Sequence, residues 1–204
     1  MPSVRLVLCA LALAGSVSAS AAEIAILDEV NWPQFAPGGK EVDAIYGDIV
    51  LRNEKLVAVI ANPVDGRNAN MTMKNAGGAL IDFTMQEAKN DQLGAYYPLG
   101  RAVNWRQVHS EVKLGTGGAP FSGKEVAVRV STVLRPDELT AETKYTLADG
   151  ADFLAVDVTL MNLTDKPIKQ ATKDELVVQG SYAKGTSGRL TWAYDKWWNA
   201  AYGK

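Results

Sequence analysis

Apolar and polar residues alternate along most of this chain, in runs too short for anything but strands. Leu139, Ala141, Thr143, Tyr145 and Leu147 take every second position, and Leu154, Val156, Val158 and Leu160 do so again after Asp149-Gly150. Successive side chains of a strand point to opposite faces, so such a run offers one face to a core and one to water. Asp-Gly between two such runs is favoured hairpin chemistry, because both central turn positions need positive φ. The pattern predicts a second hairpin over Asp48–Ile60, turning at Asn53-Glu54-Lys55, and further strands at Ala79–Phe83, Val108–Leu114, Val126–Leu134, Leu176–Gln179 and Arg189–Tyr194. Apolar residues never recur at helical spacing over three turns. Thr84–Asn90 and Lys196–Tyr202 have room for a turn or two each. The expected fold is all-β, an antiparallel β-sandwich of supersandwich type with few short helices.

The first 22 residues read as a secretory signal peptide: Arg5 as the positive start, Leu6–Ala14 as a short apolar stretch, then small residues up to a cleavage point at Ala21 and Ala22. That apolar stretch is far short of the roughly 20 residues a membrane span needs, so no span is expected after cleavage. The preceding Leu8 makes Cys9 a poor lipid-attachment site. Residues 23–204 then form one β-sandwich domain. Trp192, Tyr194, Trp197, Trp198 and Tyr202 crowd its end, which suggests the N-terminal module of a longer protein. Cys9 is the only cysteine, and it leaves with the leader. The exported domain therefore has no disulfide, no thiol nucleophile and no cysteine zinc site, which fits a bacterial periplasmic or secreted protein. Acidic residues number 23 against 21 basic ones, a balance that argues against nucleic acid and against an electrostatic membrane binder.

Few motifs carry chemistry. Gly118–Lys124 resembles a phosphate-binding loop, but Glu125 stands where the magnesium-holding hydroxyl belongs, and a strand pattern follows in place of a helix. Ser181-Tyr182-Ala183-Lys184 matches S-x-x-K without the companion elements that penicillin-recognising enzymes need. His109 is the only histidine, so no histidine zinc site is expected and no cofactor is implied. It is the weak catalytic candidate, as a single acid or base.

The stretches Asn62–Gly78 and Asn90–Asn104 read as two long polar loops, and loops of such length are often functional. Arg67, Asn68, Asn70, Asp91, Gln92, Tyr97 and Arg101 are the candidate ligand-binding residues there. Exposed rings such as Tyr96, Tyr97, Trp105, Trp192, Trp197 and Trp198, with amides and carboxylates nearby, would suit a carbohydrate.

Gly150–Pro167, with its Asn162-Leu163-Thr164-Asp165-Lys166-Pro167 end, resembles the strand edge of galactose-mutarotase-like supersandwich domains. Tyr46–Asn53 and Arg67–Thr72 resemble the front β module of large exported bacterial proteins, some of which carry a metallohydrolase domain further on. Sugar epimerases of the mutarotase family use two histidines and a glutamate, and this chain has His109 alone. The expected function is that of an exported, non-catalytic accessory module that binds carbohydrate or packs against a downstream domain of the same protein. The alternative is a mutarotase-like or glycoside-processing enzyme using His109 with a carboxylate.

Overall fold

The computed structural model describes residues 21–39, 42–64, 66–71, 73–89, 91, 93–100, 109–178, 182–187, 190–195 and 200–203; at His109, Ser110 and from Val178 onward only the backbone is described. It is an all-β antiparallel sandwich. Strands β1 (Ala22–Ile26), β2 (Ile49–Arg52), β3 (Leu56–Ile60), β4 (Leu80–Met85), β5 (Leu93–Tyr97), β7 (Phe121–Gly123) and β11 (Glu175–Val178) build a seven-stranded sheet in the order β11-β5-β4-β3-β2-β1-β7. Strands β6 (His109–Val112), β8 (Glu125–Arg135), β9 (Leu139–Ala148) and β10 (Ala155–Asn162) build a four-stranded sheet in the order β10-β9-β8-β6. A third sheet, β12 (Tyr182–Ser187), β13 (Leu190–Asp195) and β14 (Ala200–Gly203), follows at the end of the chain.

The alternation predicted for the four-stranded sheet is obeyed in β8, β9 and β10. In β9, Leu139, Ala141, Thr143, Tyr145 and Leu147 are buried and the residues between them half-buried. Tyr145 and Leu147, with Val126, Val128 and Val130 of β8, pack on Ile24, Ile49, Leu51, Leu56, Ala58 and Ile60 of the facing sheet. Apart from Arg52 at the end of β2, strands β2 and β3 are apolar on both faces, because the seven-stranded sheet is covered on both sides. Its outer face holds a second core of Ala25, Leu27, Val50, Val57, Val59, Ile81, Ala95 and Tyr97, under loops that contribute Phe35, Ala44, Met73 and Ala76. The two larger sheets and the covering loops thus make three layers.

Two side chains join these layers. Asn53, 2% exposed, ends β2 and bridges the two hairpin turns. Its Oδ1 accepts the amides of Lys55 and Leu56, while its Nδ2 donates to the carbonyls of Ala148 (2.8 Å) and Ala151 (2.9 Å). Tyr145 crosses from the four-stranded sheet to donate its hydroxyl to the Gly78 carbonyl at 2.9 Å, and burial pushes its acidity far down.

Both predicted hairpins form, with one correction of geometry. Between β9 and β10 only Gly150 has positive φ, +67°, and β10 resumes pairing at Ala155. The Asp-Gly pair is therefore part of a longer loop, held by the Asp149 amide to the Lys124 carbonyl, and is not a two-residue turn. The helix expected at Thr84–Asn90 shrinks to one turn closed by the Lys89 amide on the Met85 carbonyl, since β4 runs on to Met85 to pair with Leu56. At Lys196–Tyr202, the residues from Ala200 onward form β14 instead of helix: pairing with β13 overrides the local preference of two alanines. Strands β1, β5, β7 and β12 lay outside the prediction. Their alanines and glycines carry little strand signal, yet Gly94 is where a side chain would meet the Val177 carbonyl at 3.1 Å. The one α-helix among the described residues, α1 (Trp32–Phe35), carries Pro33 in its first turn and follows an Asp28–Asn31 turn.

Tyr145→Phe removes one interlayer bond and leaves a buried carbonyl without a donor. Urea unfolding is expected to show a loss of about 1–3 kcal/mol, and a variant as stable as the parent would mean that the hydroxyl contributes nothing.

Candidate functional site

The loop layer on the outer face of the seven-stranded sheet holds most of the chain's buried charge. Asp48 (0% exposed) lies just before β2, and Arg67 (5% exposed) lies in the loop between β3 and β4. The guanidinium grips the carboxylate at two points, Nε to Oδ1 at 3.1 Å and Nη2 to Oδ2 at 2.5 Å. The same carboxylate accepts the amides of Asn62 (2.8 Å) and Ile45 (2.9 Å). Arg67 also donates to the carbonyls of Asp43 and Asn68. Asn70 donates to Asp43 Oδ2 at 2.8 Å and accepts the Met73 amide. One ion pair therefore closes three loop segments over the sheet.

Beside it sit two more carboxyls with no exposure, Asp82 on β4 and Asp91 just before β5. A register shift opposite Val59/Ile60 makes room for Asp82 next to Ile81 in β4. Asp91 is placed by Gly39, its partner in a parallel bridge, where a Cβ would stand 2.3 Å from the Asp91 nitrogen. Asp82 Oδ1 accepts the Asp43 amide at 2.8 Å, and Asp91 Oδ1 accepts the amides of Phe83 (2.7 Å) and Leu93 (3.4 Å). The remaining oxygens, Oδ2 of each, meet no hydrogen-bond donor among the described residues. Burial, first of all, raises Asp82 well above the usual carboxylate range, and the neighbouring Asp91 raises it further. Burial also lifts Asp91, to about 6, against the opposing pull of Asp82 and of the Phe83 and Leu93 amides that it accepts.

Arg67, Asn70, Asp91 and Tyr97 of the predicted site thus share the loop layer. They face inward: Tyr97 is fully buried and donates to the Lys74 carbonyl, and Arg67 is spent on Asp48. Asn68 is exposed and takes the Asn75 amide. Gln92 and Arg101 lie outside the described residues, as do Trp105, Trp197 and Trp198. His109 begins β6, in the four-stranded sheet, whereas Tyr97 belongs to the other sheet and Asp91 lies just before its strand β5. Lys184 of the S-x-x-K match lies in strand β12. Among the described residues no group of three or more His, Cys, Asp or Glu side chains is arranged to hold a metal ion, and no helix is long and apolar enough to cross a membrane.

A different region went unseen in the sequence. Among the described residues strand β10 is an edge, and its apolar row stays half-buried although its register partners are fully buried: Val156, Val158 and Leu160 stand opposite Tyr145, Thr143 and Ala141, all 2% exposed or less. Beneath it opens a cleft of about 290 Å³ lined by Leu99, Val158, Leu160, Thr172, Lys173 and Asp174. Asp174 fixes its floor, accepting the Tyr96 hydroxyl at 2.8 Å and the Leu99 amide at 3.0 Å. Burial, then Asp174, keeps that phenol protonated far into the alkaline range. Phe153, Met161 and Leu163 nearby in sequence are each more than half exposed.

No family model, no curated protein and no solved structure matches the chain. The mutarotase-like resemblance rests on its residues alone.

Arg67→Ala strands the Asp48 carboxylate in a dry site. Removing one partner of a buried pair costs about 3–5 kcal/mol, so a large drop in the urea midpoint is expected, with a smaller one for Asp48→Asn. Equal, small effects of both would show that the pair does not hold the loops.

Proposed function

We propose that this chain is an exported, non-catalytic accessory β-sandwich whose open side packs against a further domain. The observation that carries the reading is β10. An eight-residue strand paired only with β9 among the described residues, with one charged residue, Asp157, along it, is an edge without the usual protection against strand addition. Its inner row falls short of the burial that its neighbours reach, and an apolar-and-charged cleft runs beneath it. A strand or loop laid along β10 would complete both the ladder and the core. Export is supported by the leader pattern of residues 1–22, which overlaps β1 by one residue, Ala22.

Hydrogen exchange on the whole exported protein tests the packing. An uncovered edge leaves every second amide of Ala155–Asn162 open to solvent. Protection of the full run, lost in Val158→Asp, is the expected outcome. Alternate amides exchanging freely in the intact protein would overturn the reading.

Carbohydrate binding has a separate observation in its favour. Trp32 and Tyr46 stand edge to face, 5.3 Å between centroids, Tyr46 is 60% exposed, and Trp32 follows directly on the polar Asp28–Asn31 turn. Such a ring pair suits the apolar face of a sugar. On a glycan array, the protein is expected to give a signal that Trp32→Ala abolishes, and silence from the parent protein removes this second reading.

A further inference from the structure

We propose that the further domain meets β10 with an extended strand, whose apolar row enters the cleft between Leu99 and Leu160 and whose outer row sets a basic residue against Asp157. This rests on the packing read above and names the segment that does the packing.

The backbone decides the kind of partner. In an antiparallel pair, every second residue exchanges both its amide and its carbonyl with the strand opposite, and the residues between turn theirs the other way. Asn162 stands opposite Leu139, and one step on the Leu163 amide donates to the Glu138 carbonyl at 2.8 Å. Counting back by twos, Met161, Thr159, Asp157 and Ala155 bond to β9. Val156, Val158 and Leu160 therefore turn their amides and carbonyls out of the open flank. Among the described residues no loop backbone bonds to them. The body of a helix spends its own backbone groups internally, whereas an extended chain offers a row of them at the matching spacing.

The same three residues form the half-buried apolar row. Residues directly opposite each other share a face, so the partner residues bonded to Val156, Val158 and Leu160 also point inward. There they meet the cleft of about 290 Å³, which Val158 and Leu160 wall on one side and Leu99 and the 172–174 segment on the other. That segment leads into β11, the last strand of the seven-stranded sheet, so both sheets end beside this opening. Leu99 stands there with φ at +60°, a left-handed conformation that costs a bulky residue, and the Asp174 carboxylate pins its amide at 3.0 Å. Strain of this kind clusters where a ligand is clamped.

The outer row is Ala155, Asp157, Thr159 and Met161, in which exposed Asp157 is the one charge. Its register partner on β9, Lys144, lies with its ammonium 3.7 Å from Glu125. A cation on the added strand pairs with Asp157, and an acid there is repelled. The β10 of a second copy brings no cation, since its eight residues include none.

The test uses the whole exported protein with the photo-cross-linker p-benzoylphenylalanine at position 159, on the exposed row, and sequences the captured peptide by mass spectrometry. The expected capture is a segment of the further domain with apolar residues at every second position and Lys or Arg among the others. Its amides and those of Val156, Val158 and Leu160 are expected to exchange slowly together. Asp157→Lys, a surface change that leaves folding intact, is expected to lower the capture about two- to fivefold, and changing the captured basic residue to Glu restores it. Capture of a helix, of a segment without alternation or of a second copy's β10, with the flank protected, would overturn the strand and leave the packing standing. Unchanged capture in Asp157→Lys would overturn the charge pairing. No capture, with Val156, Val158 and Leu160 exchanging freely, would remove the strand and the packing together.

Discussion

The Asp48 carboxylate is the point on which the outer third of the molecule hangs. It takes the Arg67 guanidinium and two backbone amides, and so closes segments from both sides of the β2–β3 hairpin over one sheet face. Without that cover, Val50, Val57, Val59 and Ile81 would face water and the seven-stranded sheet could not be apolar on both sides. An apolar pair of similar size would cost less to bury, so the ion pair is a device for directing loops more than a source of stability. Its directional bonds select one arrangement of segments that otherwise share no regular ladder.

That division explains which parts of the fold could be read in advance. Strands β8, β9 and β10 sit in a sheet with one wet face, so their alternation is visible in the letters. Strands β2 and β3 appear as continuous apolar runs, and their turn residues set the hairpin. Strand β5 is different: Gly94 and Ala95 are chosen for close approach and lack a strand's usual bulk, and the segment reads as loop. Strand β14 reads as helix for a similar reason, because only its partner β13 settles its conformation.

The polar loops were recognisable as unusual, and Arg67, Asn70, Asp91 and Tyr97 do gather there. What the letters cannot convey is the direction in which they face. Asp48 and Asp82 sit in runs that read as ordinary strand residues, yet both are fully buried and each needs a partner distant in sequence. The open flank at β10 was hidden for the opposite reason: its residues alternate perfectly well, and the shortfall is in what lies across from them.

Strand β1 has a consequence for how the chain assembles. It lies between β2 and β7, inside the sheet, and its outer neighbour is supplied by Phe121–Gly123. A polypeptide made from its amino end therefore carries one bare hydrogen-bonding flank for the time it takes to make about a hundred further residues, which at about 5–20 residues per second is many seconds. Any helper that keeps nascent chains apart has that interval in which to act, and the vulnerable period ends when three late residues click into place beside the first ones.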